Sequence, residues 1–499
     1  MDNDLIRLIL GMKVRRLRQQ AHFSLQDLAK KTGMSASYLN EIEKGKKYPK
    51  AEKIMSLADA LSVGYDDLVS LRLEEDLGNL TPVLNSPLIQ KFPFKLFGIS
   101  AQDLIQLMAR VPREMGILAK VLEDMGHNYD MRVEHFFHTA LRSFQIINHN
   151  FFADIEKTAD RFRKTRGWEA DRIVGFDELL PVLKEEFGVT INLDCLADHP
   201  TLSHMRSVLT EDNQLLLHHA LSQPRQAFAI GREIGYRLLK AEERAYSSPP
   251  LEVGTFEEVF NNFKASYFAS AILLPRERLF RDLKSFFKLS FWDAEAFRNL
   301  MAGYKVTPET FFYRLSQLVP HYFRSKRVHF LKFERGAGES RAKLVKQLNM
   351  SNVHIPHGIG LKEQFCRRWL SLYVIDELEA EPEKDMVIGV QRSRFIEHDS
   401  EFFCISVAFR GMLDPNHYSS LTLGFQVDAA LRKTVRFLPD PKVPHRELGQ
   451  TCERCPLTAE HCQERVTEPT LYLEKKRRAE QLSALKQLRA GVSTAATTR

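Results

Sequence analysis

Cys452, Cys455 and Cys462 concentrate the ligand chemistry of this chain in one short segment, RELGQTCERCPLTAEHCQERV. A Cys-x-x-Cys pair with a third cysteine close behind lets three thiolates converge on one centre from a single loop. A fourth ligand has to come from elsewhere. His445 and His461 are near in sequence, but His461 is adjacent to Cys462, and the two would strain to hold the same ion. With 6 cysteines in 499 residues the chain has too few for a disulfide scaffold, so in a reducing compartment they stay thiols or become metal ligands. Cys195 and Cys404 stand in apolar strand-like contexts and are expected to be buried.

Such groups need folded elements to position them. A chain of 499 residues exceeds what one hydrophobic core usually serves, so roughly two to four domains are expected. At 44% apolar, 10% aromatic and 27% charged residues, the composition excludes a largely disordered chain. Apolar runs such as FASAILLP fall short of the roughly 18 residues of a membrane span, and MDNDLIRLIL carries acids where a secretory signal carries bases. A cytoplasmic protein without membrane contact is expected. The net charge of +7 permits nucleic-acid binding without establishing it, so local charge decides.

Residues 1–72 predict five short helices. Leu5 to Gln20 has apolar Leu8, Ile9, Met12 and Leu17 with basic Arg15, Arg16 and Arg18, an amphipathic helix with a basic end. Ser24 precedes LQDLAKK with Asp27 three positions on, a capping box with Asp for the usual Glu or Gln, and Gly33 ends that helix. Ser35 opens ASYLNEIEKG, which stops at Gly45, and Lys50–Leu61 and Tyr65–Leu71 supply two more helices. Ala29 and Gly33 are small enough for two helices to cross steeply through a short turn, with Leu39 and Ile42 facing inward.

The segment SLQDLAKKTGMSASYLNEIEKGKKYPKAEKIMSLADAL resembles the helix-turn-helix of the Cro/repressor (XRE) family. The resemblance implies that the second helix of the motif enters the major groove with its N-terminal side chains at base edges. Ser35, Ala36, Ser37, Tyr38 and Asn40 fall there. Ser and Asn donate and accept hydrogen bonds, while Ala and the Tyr ring can meet a thymine methyl. Lys44, Lys46, Lys47, Lys50 and Lys53 with Arg15 and Arg16 suit phosphate anchoring, so binding should weaken steeply with salt. Where the family often has Gln directly after the capping Ser, this chain has Leu25, and Gln26 follows one place later as a DNA contact.

Pro82, Pro87 and Pro93 mark a linker, and residues 73–165 predict a helical linker or dimerisation region. In MRVEHFFHTALRSFQIINHNFFADIEKTADRF, Phe136, Phe137, Leu141, Phe144, Ile147, Phe151, Phe152 and Ile155 recur at spacings of three and four, a packing face of one helix. His135, His138 and His149 read as packing or surface residues. A repressor-type unit needs two copies to bind two half-sites, so a homodimer is expected.

Residues 166–335 alternate helix and strand patterns. Through PRQAFAIGREIGYRLL and ASYFASAILLP this region resembles the zinc-peptidase-like domain of the ImmA/IrrE type, a zincin-like α+β fold. The resemblance implies an HExxH helix, in which two imidazoles four apart hold zinc and the Glu polarises water. The five positions here are Arg232, Glu233, Ile234, Gly235 and Tyr236. A guanidinium has no acceptor, Tyr236 replaces the second histidine, and Lys264 stands where a ligand carboxylate would precede Ala265. The site is degenerate and the chain is expected not to be an enzyme. Glu233 is expected to partner Arg232 or Arg237, and the cleft to serve as a ligand pocket or a spacer. His218 and His219 lack a third ligand at suitable spacing and read as ordinary.

Residues 336–470 predict an α+β domain, with strand-like DMVIGVQRS, FFCISVAFRGM and SSLTLGFQV ahead of the cysteine segment. With Cys366 in GLKEQFCRRWLSLYVIDEL, this end resembles the C-terminal domain of the short-chain fatty acyl transcriptional regulator family. In that family a repressor-type unit, a degenerate peptidase-like domain and a cysteine-rich end occur in this order. The resemblance implies that Cys366, Cys452, Cys455 and Cys462 hold an iron-sulfur cluster, and that the effector is an acyl-CoA or another signal of central carbon metabolism. Zinc suits the same four thiolates, and plain thiols are the remaining alternative. Residues 471–499 predict a basic amphipathic helix, LEKKRRAEQLSALKQLRA, solvated or packed, with an extra phosphate contact as the other reading, and a disordered tail, GVSTAATTR.

These patterns predict a multidomain, mainly α protein with α+β parts. Its function would be that of a sequence-specific transcription regulator which binds double-stranded operator DNA and senses a metabolite and redox state. A regulatory metallopeptidase that cleaves a repressor is one rival; it predicts zinc beside Glu233. An interaction scaffold with a vestigial DNA unit is another.

Overall fold

The computed structural model describes residues 3–70, 93–99, 117, 121, 124–126, 131–196, 199–202, 204–351, 353–356, 362–396, 400–412 and 414–496. The linker prolines Pro82 and Pro87 and most of 73–130 lie outside them. The chain divides into two units, 1–140 and 141–499.

The first unit contains the five expected helices: α1 (Asn3–Gln20), α2 (Leu25–Thr32), α3 (Ala36–Glu43), α4 (Ala51–Leu61) and α5 (Tyr65–Val69). Ser24 and Asp27 form the capping box, with Asp27 N–H donating to Ser24 Oγ at 3.1 Å and Ser24 N–H to Asp27 Oδ2 at 2.9 Å. Gly33 ends α2 at φ +68°, a left-handed position that costs glycine nothing. Leu10, Val14, Leu28, Leu39, Ile42, Ile54, Leu57 and Leu68 make the core. Gly11 lets α1 approach α3 most closely: a Cβ there would lie 2.3 Å from the Ile42 carbonyl oxygen.

The next helices depart from the sequence pattern. The expected single Phe-rich helix is two, α6 (Val133–Ile147) and α7 (Ala153–Lys164), because His149 and Asn150 take φ of 50° and 53° between them. Asn and His accept that conformation more readily than most residues, and Asn150 repays it by donating to Ser316 Oγ at 3.1 Å and accepting from Gln145 at 3.1 Å. Phe152 then turns into the core, 5.2 Å from the Phe263 ring and 5.5 Å from Tyr267.

The zincin-like part follows as α8 (Phe176–Phe187), β1 (Thr190–Asn192), β2 (Ser207–Leu209), β3 (Gln214–Leu217), α9 (Gln223–Leu238), β4 (Ser247–Ser248) and α10 (Phe256–Leu273). Its sheet has the order β1-β3-β2-β4, parallel only between β1 and β3. Gly231 and Gly235 let α9 lie against Ala269 and Ala265 of α10; a Cβ on Gly235 would sit 3.1 Å from the Ala265 carbonyl oxygen. Helices α11 (Arg276–Phe287), α12 (Ala294–Ala302) and α13 (Pro308–Tyr322) lead to a larger sheet.

That sheet comprises β5 (Val328–Gly336), β6 (Lys343–Asn349), β7 (Met386–Phe395), β8 (Ser400–Arg410), β9 (His417–Gln426) and β10 (His445–Leu448) in the order β10-β7-β8-β9-β5-β6, antiparallel except for β10 on β7. Both faces are covered. Phe403, Ile405 and Val407 of β8 join the core shared with the zincin-like part, while Phe402, Cys404 and Ala408 face α14 (Leu370–Ala380). Double burial is why β8 reads as a continuous apolar run. A short helix, α15 (Ala429–Thr434), precedes β10. The terminal helix α16 (Thr470–Ala496) passes through Gly491, where a disordered tail was expected. One glycine costs a helix only about 1 kcal/mol, too little to end it among alanines. Among the described residues no helix is long and apolar enough to cross a membrane.

His329 on β5 is 2% exposed, its Nε2 3.9 Å from Cys404 Sγ, in space left by Gly424, where a Cβ would come within 2.2 Å of the ring. Burial lowers its pKa from 6.5 to about 4. The neutral form is therefore the folded form, and its contribution is present above pH 6.5 and lost as pH falls toward 4. Acid unfolding followed by circular dichroism should show stability declining across that window by up to about 1.4 kcal/mol per pH unit. A His329→Gln variant should flatten the decline.

Candidate functional site

Three places gather chemistry: the exposed side of α3, a cleft beside α9, and the cysteine loop. On α3, Ser35 is the N-cap, and its Oγ accepts the Tyr38 N–H at 3.1 Å, so that hydroxyl is engaged in holding the helix start. Ser37 is exposed, Ala36 and Asn40 are half-buried, and the Tyr38 ring lies under Lys53 Nζ at 4.3 Å. Gln26, Lys44, Lys46 and Lys47 are exposed and Arg15 and Arg16 half-buried. Leu39 and Ile42 are fully buried as expected.

The clamp that orients α3 was not anticipated. Arg18 of α1 makes a bidentate pair with Glu43 of α3, Nε to Oε1 at 2.6 Å and Nη2 to Oε2 at 3.0 Å, and Nη1 donates to the Phe23 carbonyl at 2.8 Å. The Glu43 hydrogen bond raises the Arg18 pKa. With Gly11 below, this fixes the helix-turn-helix as one rigid block. The signal in the sequence is a glutamate at the end of an amphipathic helix whose other face is apolar.

In the zincin-like part, Arg232, Glu233 and Tyr236 each have partners of their own. Arg232 Nη2 donates to Ser207 Oγ at 3.1 Å, and Tyr236 Oη donates to Asn262 Oδ1 at 3.0 Å. Glu233 is 2% exposed and pairs with Arg237, as expected, but not with Arg232. Its second partner is Arg244, bidentate at 2.7 and 2.6 Å, whose guanidinium stacks 3.9 Å from the Tyr236 ring centroid. A carboxylate held by two arginines is a structural ion pair.

Next to it lies a cleft of about 230 Å³ lined by Arg206, Arg225, Arg232 and Lys346, with Glu309 as its carboxylate and Tyr313 at one wall. Burial lowers the Arg232 and Arg225 pKa values, and Arg232 Nε is buried without a hydrogen-bond partner. Burial opposes ionisation of Glu309, but Lys346, Lys332 and Arg206 outweigh it and hold its pKa at about 2. The lining therefore keeps four cations against one anion. His218 and His219 stack on each other at 4.9 Å.

Cys366, Cys452, Cys455 and Cys462 are all buried, at 2%, 3%, 2% and 5% exposure. The segments that carry them are joined by main-chain bonds: Cys366 N–H donates to Gln450 O at 3.2 Å, Cys452 N–H to Gln364 O at 2.8 Å, and Phe365 bridges Thr451. Backbone N–H groups of Arg368 and Gly449 point at the Cys366 sulfur. Burial pushes that thiol up to about 12, and Cys455 and Cys452 are close enough to add to the rise. Burial raises the Cys462 thiol too, with Arg368 opposing and Cys455 adding. At the tighter spacing that would hold an ion, no group of three or more His, Cys, Asp or Glu is found among the described residues. Cys404 is buried, but Cys195 is exposed, contrary to expectation. β1 ends at Asn192, whose Oδ1 accepts the N–H groups of Asp194 and Cys195, and that turn carries the thiol to the surface.

Residues 14–68 match the helix-turn-helix family model and residues 182–316 the IrrE N-terminal-like domain. The chain is 37% identical over 60 residues to the uncharacterized HTH-type transcriptional regulator YazB of Bacillus subtilis (strain 168), covering 12% of this chain and 87% of that protein. It is 36% identical over 58 residues to the uncharacterized HTH-type transcriptional regulator Rv0474 of Mycobacterium tuberculosis (strain ATCC 25618 / H37Rv), of whose length it spans 41%. A solved Mycobacterium tuberculosis transcriptional regulator aligns at a TM-score of 0.46 with 19% identity, over 65% of this chain and 92% of that one. The chain belongs to the HTH-type transcriptional regulators, with an XRE-type helix-turn-helix domain ahead of an IrrE-like domain.

Proposed function

We propose that this regulator is a non-enzymatic, effector-responsive protein that binds operator DNA as a homodimer. The observation that carries the effector is the cleft beside α9. The helix that would bear zinc ligands in an active peptidase instead presents Arg232 to a pocket shared with Arg206, Arg225 and Lys346. Four cations around one carboxylate suit a phosphate- or carboxylate-bearing ligand, since charge-assisted bonds to such groups are strong and bidentate for arginine. Exposed Tyr246 and Leu251 stand on the same segment as the lining residues Ser248 and Pro250, and offer apolar surface to the rest of a ligand. A short-chain acyl-CoA combines both requirements. Its binding would regulate only by favouring one arrangement of the two DNA-binding units over the other.

Glu233 cannot act as a general base while Arg237 and Arg244 hold it, which argues against the peptidase alternative. The four buried cysteines fit a soft-metal centre by donor chemistry, and Cys366, Cys452, Cys455 and Cys462 would hold an iron-sulfur cluster or zinc. A cluster would supply redox sensitivity when bound. Titration calorimetry of the full-length protein with acetyl-CoA and propionyl-CoA tests the effector. Binding should weaken by about tenfold or more in an Arg232→Met variant, the worth of one hydrogen bond to a charged group. Absence of binding to the wild-type protein would remove the acyl-CoA reading.

A further inference from the structure

We propose that α16 is a second DNA contact: an arm whose lysines and arginines grip the phosphate backbone of duplex DNA. From Leu473 to Arg489 every residue is exposed. The helix is nonetheless anchored at its start, where Tyr472 N–H donates to the Glu453 carbonyl at 2.9 Å, Leu473 N–H donates to Pro469 O at 2.9 Å and Pro469 is buried. It therefore starts against the cysteine loop, tied to it by the bond to Glu453.

Its charge is one-sided. Lys475, Lys476, Arg477, Arg478, Lys486 and Arg489 face only Glu474 and Glu480, and among the described residues no carboxylate pairs with any of the six. At about 100° per residue, Lys475, Arg478, Lys486 and Arg489 fall within about 80° of one another around the axis, as two pairs about 16 Å apart. Two cation pairs on one line match a ladder of phosphates.

Other occupants fit less well. A second copy of the helix would set these cations against like charges in either direction, which destabilises helix pairs. The exposed leucines, Leu482, Leu485 and Leu488, are interrupted by Gln481 and Arg489 and form no broad apolar face for a membrane surface. Duplex DNA supplies the complementary polyanion, and an arm covalently joined to a DNA-binding domain meets it at high effective concentration.

The test compares the full chain with a Lys475→Ala/Arg478→Ala/Lys486→Ala/Arg489→Ala variant in binding to a mixed-sequence duplex across a salt series. The slope of log K against log salt should flatten by about 3 to 4, and low-salt affinity should fall about tenfold or more. A Lys44→Ala/Lys46→Ala/Lys47→Ala variant should lose affinity separately. A Leu482→Ser/Leu485→Ser/Leu488→Ser variant should bind as the wild type does. Because these side chains are exposed, circular dichroism melting should change little in the arm variants. An unchanged slope in the arm variant, beside a weakened helix-turn-helix variant, would overturn the arm. So would a leucine variant that changes oligomeric state in light scattering, or arm-dependent binding to anionic phosphatidylserine vesicles without an effect on DNA. Failure of both lysine variants to alter DNA binding would instead count against the DNA-contact residues as a whole.

Discussion

Replacing Arg314 with methionine should destabilise the 141–499 unit by about 3–5 kcal/mol, read as a lower urea midpoint at unchanged slope. Arg314 on α13 is 0% exposed and its partner Glu156 on α7 is 1% exposed. Nη1 reaches Oε1 at 2.6 Å and Nη2 reaches Oε2 at 2.9 Å, while Nε donates to the Leu274 carbonyl at 3.2 Å. Tyr267 of α10 donates to the same carboxylate at 2.7 Å. Burial opposes both charges, but their mutual attraction wins, lowering the Glu156 pKa and raising that of Arg314. Removing the cation leaves a carboxylate with nowhere to be solvated. A Glu156→Gln/Arg314→Met double variant should recover much of the loss, because a neutral pair carries no such penalty. Equal loss in single and double variants would show that packing, not the orphaned charge, was responsible. The double variant also keeps the comparison measurable if the single one fails to fold.

This junction marks the limit of what the sequence discloses. The helix-turn-helix was legible because its signals are local: Ser24 with Asp27, Gly33, Ser35 and the apolar spacing all act within a few residues. Gly11 was not, since its meaning lies in the Ile42 carbonyl across a helix crossing. Gly231 and Gly235 stand within a local motif, yet their role as the seat of α10 emerges only when Ala265 and Ala269 arrive opposite them. The parallel pairing of β10 on β7 left no local trace either.

The same distinction applies to the sites. Arg232 and Tyr236 could be read from five consecutive positions. Their surroundings could not, because Arg206 and Lys346 come to the cleft from other elements and Arg244 reaches Glu233 from beyond the helix end. Ser35, expected at a base edge, engages its hydroxyl in capping α3, which the residue types alone did not separate from the exposed Ser37 beside it.

Serine at Cys455 should have the largest effect of any single change in the C-terminal part. Beyond β10 the chain has little regular structure until α16 apart from the short 3-10 turn Ala459–His461, and the segments around it are joined by side-chain bonds such as Arg454 to Glu363 at 2.6 Å and Arg368 to Glu464 at 3.1 Å. Ion pairs at or near the surface contribute only about 0–1 kcal/mol each. Four thiolates on one ion would join 362–369 to 449–465 far more firmly, on the order of 10 kcal/mol for a structural thiolate site. The proposed centre predicts that protein purified without oxygen contains bound metal, that Cys455→Ser releases it and lowers the melting temperature, and that Cys404→Ser retains it. Acid-labile sulfide and a brown colour would identify a cluster; a colourless zinc protein would identify the alternative. Wild-type protein free of metal, with Cys366, Cys452, Cys455 and Cys462 reacting as ordinary thiols only after unfolding, would reduce the loop to packing and remove the proposed centre.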